Sequence, residues 1–272
     1  MKKIYLSSAL ATIAVGVLSA SGALAAAKKG NEVEQEVFNR DGAKFKLSTG
    51  FDYSKGDYGQ SADTEVWYVP VSGKLEVDDW TVKLTVPWLS IKGPGAVIGG
   101  GGGVVTNSSG AVTTESGLGD VVASLTYTAN IASDTYLDLT TKVKLPTADE
   151  DRGLGTGETD YTVQADLSRQ FGPLSLYTGA GYKFVGSNNT LNLDDIWIAN
   201  VGFGYDVTKS VNAGLTYDWR EAAASSTENP SEITAYVNVK ATDRINVQLY
   251  GLTGFSDGSP NGGGGILAGY KF

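Results

Sequence analysis

The side chains able to do chemistry in this chain of 272 residues are carboxylates and amines: 30 aspartates and glutamates, 21 lysines and arginines, no histidine and no cysteine. Without imidazole there is no Ser–His nucleophile, no Asp–His proteolytic centre and no imidazole metal site. Without thiols there is no disulfide, no thiolate metal site and no cysteine to carry a lipid. Carboxylate-pair chemistry is the one catalytic route left, so the chain reads as a non-enzyme without cofactor or metal. The glycine-rich stretches Gly99 to Gly103 and Gly153-Leu154-Gly155-Thr156-Gly157 do not bind phosphate in the familiar way, because neither leads from a strand into a helix and neither carries the lysine. What remains for the charged residues is recognition and pairing of charge. Two groups carry it: a large one of Lys44, Lys46, Lys74, Lys83, Lys240, Arg244 and Lys271 with Asp138, Asp166 and Asp206, and a small one of Asp120, Lys144, Glu158 and Asp160.

The elements that position these groups are strands. From Ala43 to Phe272 one unit repeats: ten to fourteen residues alternating apolar and polar, then a break. Sustained alternation without a helical period argues an all-β chain. Twelve runs emerge, at 43–55, 64–77, 80–92, 119–130, 135–145, 158–169, 174–186, 194–206, 210–221, 231–241, 244–255 and 264–272. The breaks alternate in size. Asp78-Asp79, Ile131 to Asp134, Gln170 to Pro173, Val207 to Lys209 and Thr242-Asp243 are tight, whereas 56–63, 93–118, 146–157, 187–193, 222–230 and 256–263 are long and rich in Gly, Ser, Asn and Asp. Short turns on one side and long loops on the other are the mark of an antiparallel up-and-down barrel in an outer membrane, with both termini on the periplasmic side. A soluble sandwich has no reason to sort its loops in this way.

The ends and faces agree. Residues 1–27 run from Lys2 and Lys3 through an apolar stretch with Ile13, Val15 and Leu18 to small residues at Ala23, Leu24 and Ala25, the order of a cleaved signal peptide. Loss of its two lysines leaves 19 basic against 30 acidic residues, a net charge of about −11, a poor match for nucleic acid. Residues 28–42 then form a short periplasmic segment, and 43–272 the barrel. No apolar run of 18 residues follows the signal, and a membrane is then crossed only by a closed barrel, in which every backbone group is satisfied. In the ninth run Val211, Ala213, Leu215, Tyr217 and Trp219 share one face, and Asn212, Gly214, Thr216, Asp218 and Arg220 the other. The polar face needs water inside the barrel. Trp80 with Trp88, Trp197 with Tyr205 and Phe45 with Tyr53 stand eight residues apart on apolar faces, about 20 Å along the membrane normal, as two interfacial girdles require. Ile266, Ala268, Tyr270 and Phe272 end the chain like a terminal strand recognised by the barrel-assembly machinery.

Placed by height, the large group becomes a basic arc on runs ten, eleven, twelve, one, two and three near the periplasmic end, facing Asp138, Asp166 and Asp206 across the pore. That arrangement would set up a transverse field orienting dipolar or charged solutes; equally, the charges would solvate the lumen or bridge and plug it. The small group lies at the outer mouth on runs four, five and six, where it would contact a solute or, as the favoured alternative, pin the outer loops as an ion-paired cluster. The long loop from Gly93 to Ser116 would either fold into the pore as a constriction or lie disordered outside.

Gly117-Leu-Gly-Asp120, Lys142-Val-Lys-Leu-Pro-Thr147, Gly155-Thr-Gly-Glu-Thr-Asp160-Tyr161, Ser168-Arg-Gln-Phe-Gly172 and Gly179-Ala-Gly-Tyr-Lys183 resemble the MetA-pathway of phenol degradation family of outer-membrane barrels. The resemblance centres on residues 117–186 and implies an outer-membrane location and transport of aromatic or other hydrophobic compounds, with no catalytic residues to carry over. A twelve-stranded barrel is wider than the eight-stranded kind filled by side chains and narrower than sixteen-stranded porins. The expectation is a narrow passive channel for small solutes, with membrane lipid as its surroundings and no nucleic acid as partner. The alternative is a structural or adhesive barrel that does not conduct.

Overall fold

The computed structural model describes residues 10–11, 43–98, 103–106, 112–187, 192–224 and 227–272. Its strands are β1 (Lys44–Gly56), β2 (Thr64–Val77), β3 (Trp80–Gly93), β4 (Val121–Ala132), β5 (Thr135–Leu145), β6 (Asp160–Phe171), β7 (Leu174–Phe184), β8 (Ile196–Thr208), β9 (Val211–Arg220), β10 (Ser231–Lys240), β11 (Ile245–Gly254) and β12 (Gly262–Lys271). Each pairs antiparallel with its sequence neighbours, and β12 pairs with β1 from Gly262↔Lys55 to Lys271↔Lys46, which closes a twelve-stranded barrel. One extra segment, Thr113–Leu118, continues the line of β4 along the upper half of β3. The tight connections sit at one end of the barrel, where Asp78, Asp134 and Gly172 hold positive φ angles of 52°, 55° and 59°, a conformation that aspartate and glycine tolerate best. The long connections sit at the other end.

Side-chain direction follows the period of two along each strand. On β6, Asp160, Thr162, Gln164, Asp166, Ser168 and Gln170 are buried in the lumen while Tyr161, Val163, Leu167 and Phe171 are exposed outside. The same sorting runs round the barrel, so the large exposed side chains are apolar and the buried ones largely polar. Aromatic side chains ring the exterior at both heights. Phe45 meets Phe272 and Trp80 meets Tyr127 near the turn end, at 5.4 and 4.9 Å between centroids. Tyr53 meets Trp67 and Tyr182 meets Trp197 near the loop end, at 4.8 and 5.0 Å.

Inside, tyrosines lean across glycines on neighbouring strands. Tyr177 of β7 passes Gly202 of β8 and shares a 2.6 Å hydroxyl hydrogen bond with Thr216 of β9. Tyr250 of β11 passes Gly265 of β12 and donates to Asp52 of β1. Each joint ties strands that are not adjacent, and glycine leaves the space for the ring.

Some boundaries differ from those expected. The sixth strand starts at Asp160 rather than 158, because Gly157 takes a φ of +71° and interrupts the alternation. The break expected at 93–118 shortens to 94–112, since Thr113–Leu118 is strand. Within it the backbone of Gly95–Ile98 pairs with Gly103–Thr106, which also pairs with Leu10–Ala11. The rest of residues 1–42 and Gly99 to Gly102 lie outside the described residues.

A methyl group added at Gly202 would lie 2.5 Å from the Tyr177 ring and 2.6 Å from the Leu215 carbonyl oxygen. Gly202→Val is expected to cost about 1–3 kcal/mol by overpacking, read as a lower urea midpoint of the folded barrel. Gly251→Ala, whose added carbon meets nothing closer than 3.7 Å, should leave the midpoint in place.

Candidate functional site

The registers set the lumen charges in rows. Lys271 of β12 stands opposite Lys46 of β1, Lys46 opposite Lys74 of β2, and Lys74 opposite Lys83 of β3. The row continues through Ser124 of β4, Lys142 of β5 and Thr162 of β6 to Lys183 of β7. Strands in a barrel are tilted, so a row crossing them climbs. It starts at Lys271, the last residue of β12 at the turn end, and finishes at Lys183, one residue from the loop end of β7.

A second row runs four residues nearer the turn end on the strands the two share. Asp138 of β5 faces Asp166 of β6, and the line passes through Gly179 and Asn200 to Asp218 of β9 and Glu232 of β10. Asp166 accepts hydrogen bonds from Gln164 at 2.7 Å and Asn200 at 3.3 Å. Glu232 pairs with Arg220 at 2.8 Å. Lys142 donates to the side-chain amide oxygen of Gln164 at 3.0 Å, linking the rows.

At the loop end the charges form a knot. Pro87 of β3 has no N–H to give β4, and its carbonyl accepts from Gly119 at 2.9 Å. Between Thr85↔Val122 and Trp88↔Leu118 the chain opposite β3 carries one extra residue, a bulge that re-aims a side chain. That side chain is Asp120, turned into the lumen with 1% exposure. The Lys144 ammonium lies 3.4 Å from Asp120 and 3.3 Å from Asp160, which also binds Lys183 at 2.8 Å. Lys144 donates to Thr156 at 2.9 Å, and Asp120 accepts from the Ala148 amide at 3.0 Å. The loop from residue 146 to 159 is thereby held over the mouth. Its Leu154 drops into an apolar cluster with Tyr58, Val66, Leu89 and Ile91. On the other side of the mouth Leu193, Ile196, Ala223 and Ala224 form a second cluster. Gly155 fits against Ala148 and Asp120, where a methyl would come within 3.0 Å. The motifs at 117–120, 142–147 and 155–161 thus meet in one place.

Of the residues expected at the lumen, Lys46, Lys74, Lys83, Asp138, Asp166, Asp206 and Lys271 occupy inward strand positions. Lys44 opens β1 on the same parity and is exposed. Lys74 also pairs with Glu76 at 2.5 Å, and Asp206 accepts from Asn212 at 2.8 Å. Lys240, half-exposed at the rim, pairs with Asp243 at 3.0 Å. Arg244 is a correction: it sits in the turn before β11, where Thr242 accepts its amide, and its guanidinium donates to Tyr270 at 3.3 Å on the outer face. Glu158 is another. It precedes β6 in the loop, its amide donates to Thr156, and the ion pairs of the knot join Asp120, Lys144, Asp160 and Lys183 instead. Lys142, Lys183 and Glu232 were missed, and Asp218 and Arg220, placed on the polar face of the ninth run, were not counted in either charged group. Their inward parity was readable from alternation, but their partners follow from register alone. Among the described residues no group of three acidic side chains converges as a metal site.

No family model and no curated protein matches the chain. Solved structures do. An outer membrane channel from Pseudomonas putida superposes with a TM-score of 0.63 at 15% identity, over 85% of this chain and 96% of that one. The NanC porin gives 0.55 at 9% identity over 82% and 98%, and the KdgM porin in complex with disordered oligogalacturonate 0.52 at 9% over 84% and 99%. At such identities the likeness is one of fold alone: a closed antiparallel β-barrel.

Removing one partner of a buried charge cluster strands the others, at a cost of about 3–5 kcal/mol. Lys144→Met is expected to lower the urea midpoint accordingly. It should also free the loop, read as faster tryptic cleavage after the half-exposed Arg152.

Proposed function

We propose that the protein is an outer-membrane barrel serving as a narrow passive channel for small solutes. The observation that carries this is the inversion of a soluble protein's sorting: exposed Leu, Val, Trp and Phe on the outside, buried Asp, Lys, Arg, Asn and Gln within. Lipid accepts the first surface, and the second calls for water in the bore. The aromatic girdles fix its depth, and the terminal strand ending in Tyr270 and Phe272 suits recognition by the barrel-assembly machinery. On this reading residues 1–27 serve as the export leader, and the short turns and both termini face the periplasm. The motifs at 117–186 support a kinship with the MetA-pathway barrels and, through it, aromatic or hydrophobic compounds as candidate solutes. The charges of the inner wall favour solutes with polar or charged groups. No step of covalent chemistry enters.

One observation favours a second reading, a structural or adhesive barrel that does not conduct: the loop from 146 to 159 is folded over the mouth and anchored by the buried knot.

Single-channel recording of the refolded mature protein in a planar bilayer separates the two. Discrete, reproducible current steps are expected; a folded barrel that never conducts would establish the second reading. The membrane placement has its own check. Leu84, exposed at mid-height of β3, should destabilise the barrel in phospholipid vesicles by about 2–4 kcal/mol when changed to Arg, whereas Thr128→Arg, facing the lumen opposite Asp138, should cost little.

A further inference from the structure

Three consecutive cross-strand pairs in the turn-end half of the lumen set lysine against lysine: Lys271 with Lys46, Lys46 with Lys74, and Lys74 with Lys83. Like charges directly opposite each other destabilise a sheet, so stability alone would not place them there. Lys83 has Lys74 directly opposite on β2 and Ser124 opposite on β4, and no acid stands in the row. From β12 to β7 every position of the row is a hydrogen-bond donor, because Ser124 and Thr162 fill the steps between the later lysines.

The acidic row differs in what reaches solvent. Asp138, Asp166, Asp218 and Glu232 are 5%, 7%, 8% and 1% exposed. Asp166 is covered by amide donors and Glu232 by Arg220. Lys46, Lys74, Lys83 and Lys142 are only partly buried. These four acids are satisfied within the protein; among the partly exposed inward charges Lys46, Lys74, Lys83, Lys142 and Lys271 outnumber Glu76 and Asp206, so the wall of the bore is basic on balance although the whole chain is acidic.

We infer that this row is a binding path for small organic anions, of which solutes bearing one or two carboxylates are the fitting class. Adjacent lysines lie one strand apart, about 4.8 Å, so a single carboxylate is held between two ammonium groups and passed to the next pair. A second carboxylate engages a further step of the same row. The path runs from Lys271 up to Lys142, beyond which Lys183 is committed to Asp160. Selectivity for anions follows from position and accessibility, without any need for net positive charge.

The inference rests on the channel reading, and the experiment separates them. Reversal potentials are measured across a potassium chloride gradient and then a potassium succinate gradient for the wild type, a Lys46→Gln/Lys74→Gln/Lys83→Gln variant, Lys83→Gln alone and Lys55→Gln, a loop-end control paired with Asp63. The wild type should favour anions, and succinate should lower chloride current. The triple variant should lose that preference several-fold and Lys83→Gln part of it, with Lys55→Gln unchanged. Lys83→Gln relieves like-charge repulsion and should fold at least as stably in urea, while the triple variant, which also gives up the Lys74–Glu76 pair, should keep the folded barrel at a slightly lower midpoint. Channels that conduct without anion preference, or a triple variant as selective as the wild type, would overturn the anion path and leave the channel standing. A wild type that never conducts would remove both.

Discussion

The fold depends on closing one hydrogen-bond ladder on itself. Once β12 meets β1 in register, none of the twelve staves is left as an edge, and apart from prolines such as Pro87 the stave residues give their backbone groups to a neighbour. The ladder then dictates the side chains, since a period of two sends alternate residues to opposite surfaces. A shift of one residue would exchange the lining for the exterior. This is why glycines matter within the wall: Gly202 and Gly265 let Tyr177 and Tyr250 span a strand and bind the next but one, which adds to the register set by backbone bonds between neighbours.

The two ends of the bore are built on different principles. At the loop end, charges of opposite sign are buried together and a loop is sewn over them; Lys144 serves three partners there, and Leu154 adds an apolar stopper. At the turn end, charges of one sign are aligned and left accessible. The first arrangement holds structure in place, at the desolvation cost that buried pairing offsets. The second leaves an excess of one charge along the wall of the bore. A carboxylate position in the knot, Asp120, exists because a proline opposite withholds an N–H and the chain takes up an extra residue.

The architecture was readable because alternation and loop sorting are properties of the chain itself: all twelve runs became strands, and the aromatic pairs such as Trp80 with Trp88 face outward as their spacing required. The lumen was readable only in part. Height measured from strand ends put Lys46 and Asp166 on the correct face, yet it described two arcs at one level where the register produces two climbing rows. It also passed over Lys142 and Lys183, which matter through their strand partners. Arg244 and Glu158 were misplaced for a shared reason. Both lie outside a strand, Arg244 one residue before β11 and Glu158 two before β6, where a turn or a left-handed glycine ends the period that the parity argument assumes.

The inclination of the lysine row gives it a hand. Between Lys271 and Lys142 the donors move around the bore while they rise through it, so a solute held at two points must turn in one sense as it advances. Mirror images of a dicarboxylate with a chiral centre would present their remaining groups to different walls at each step. A fixed tilt of the strands, needed only to close the barrel, thereby becomes a means of telling left from right.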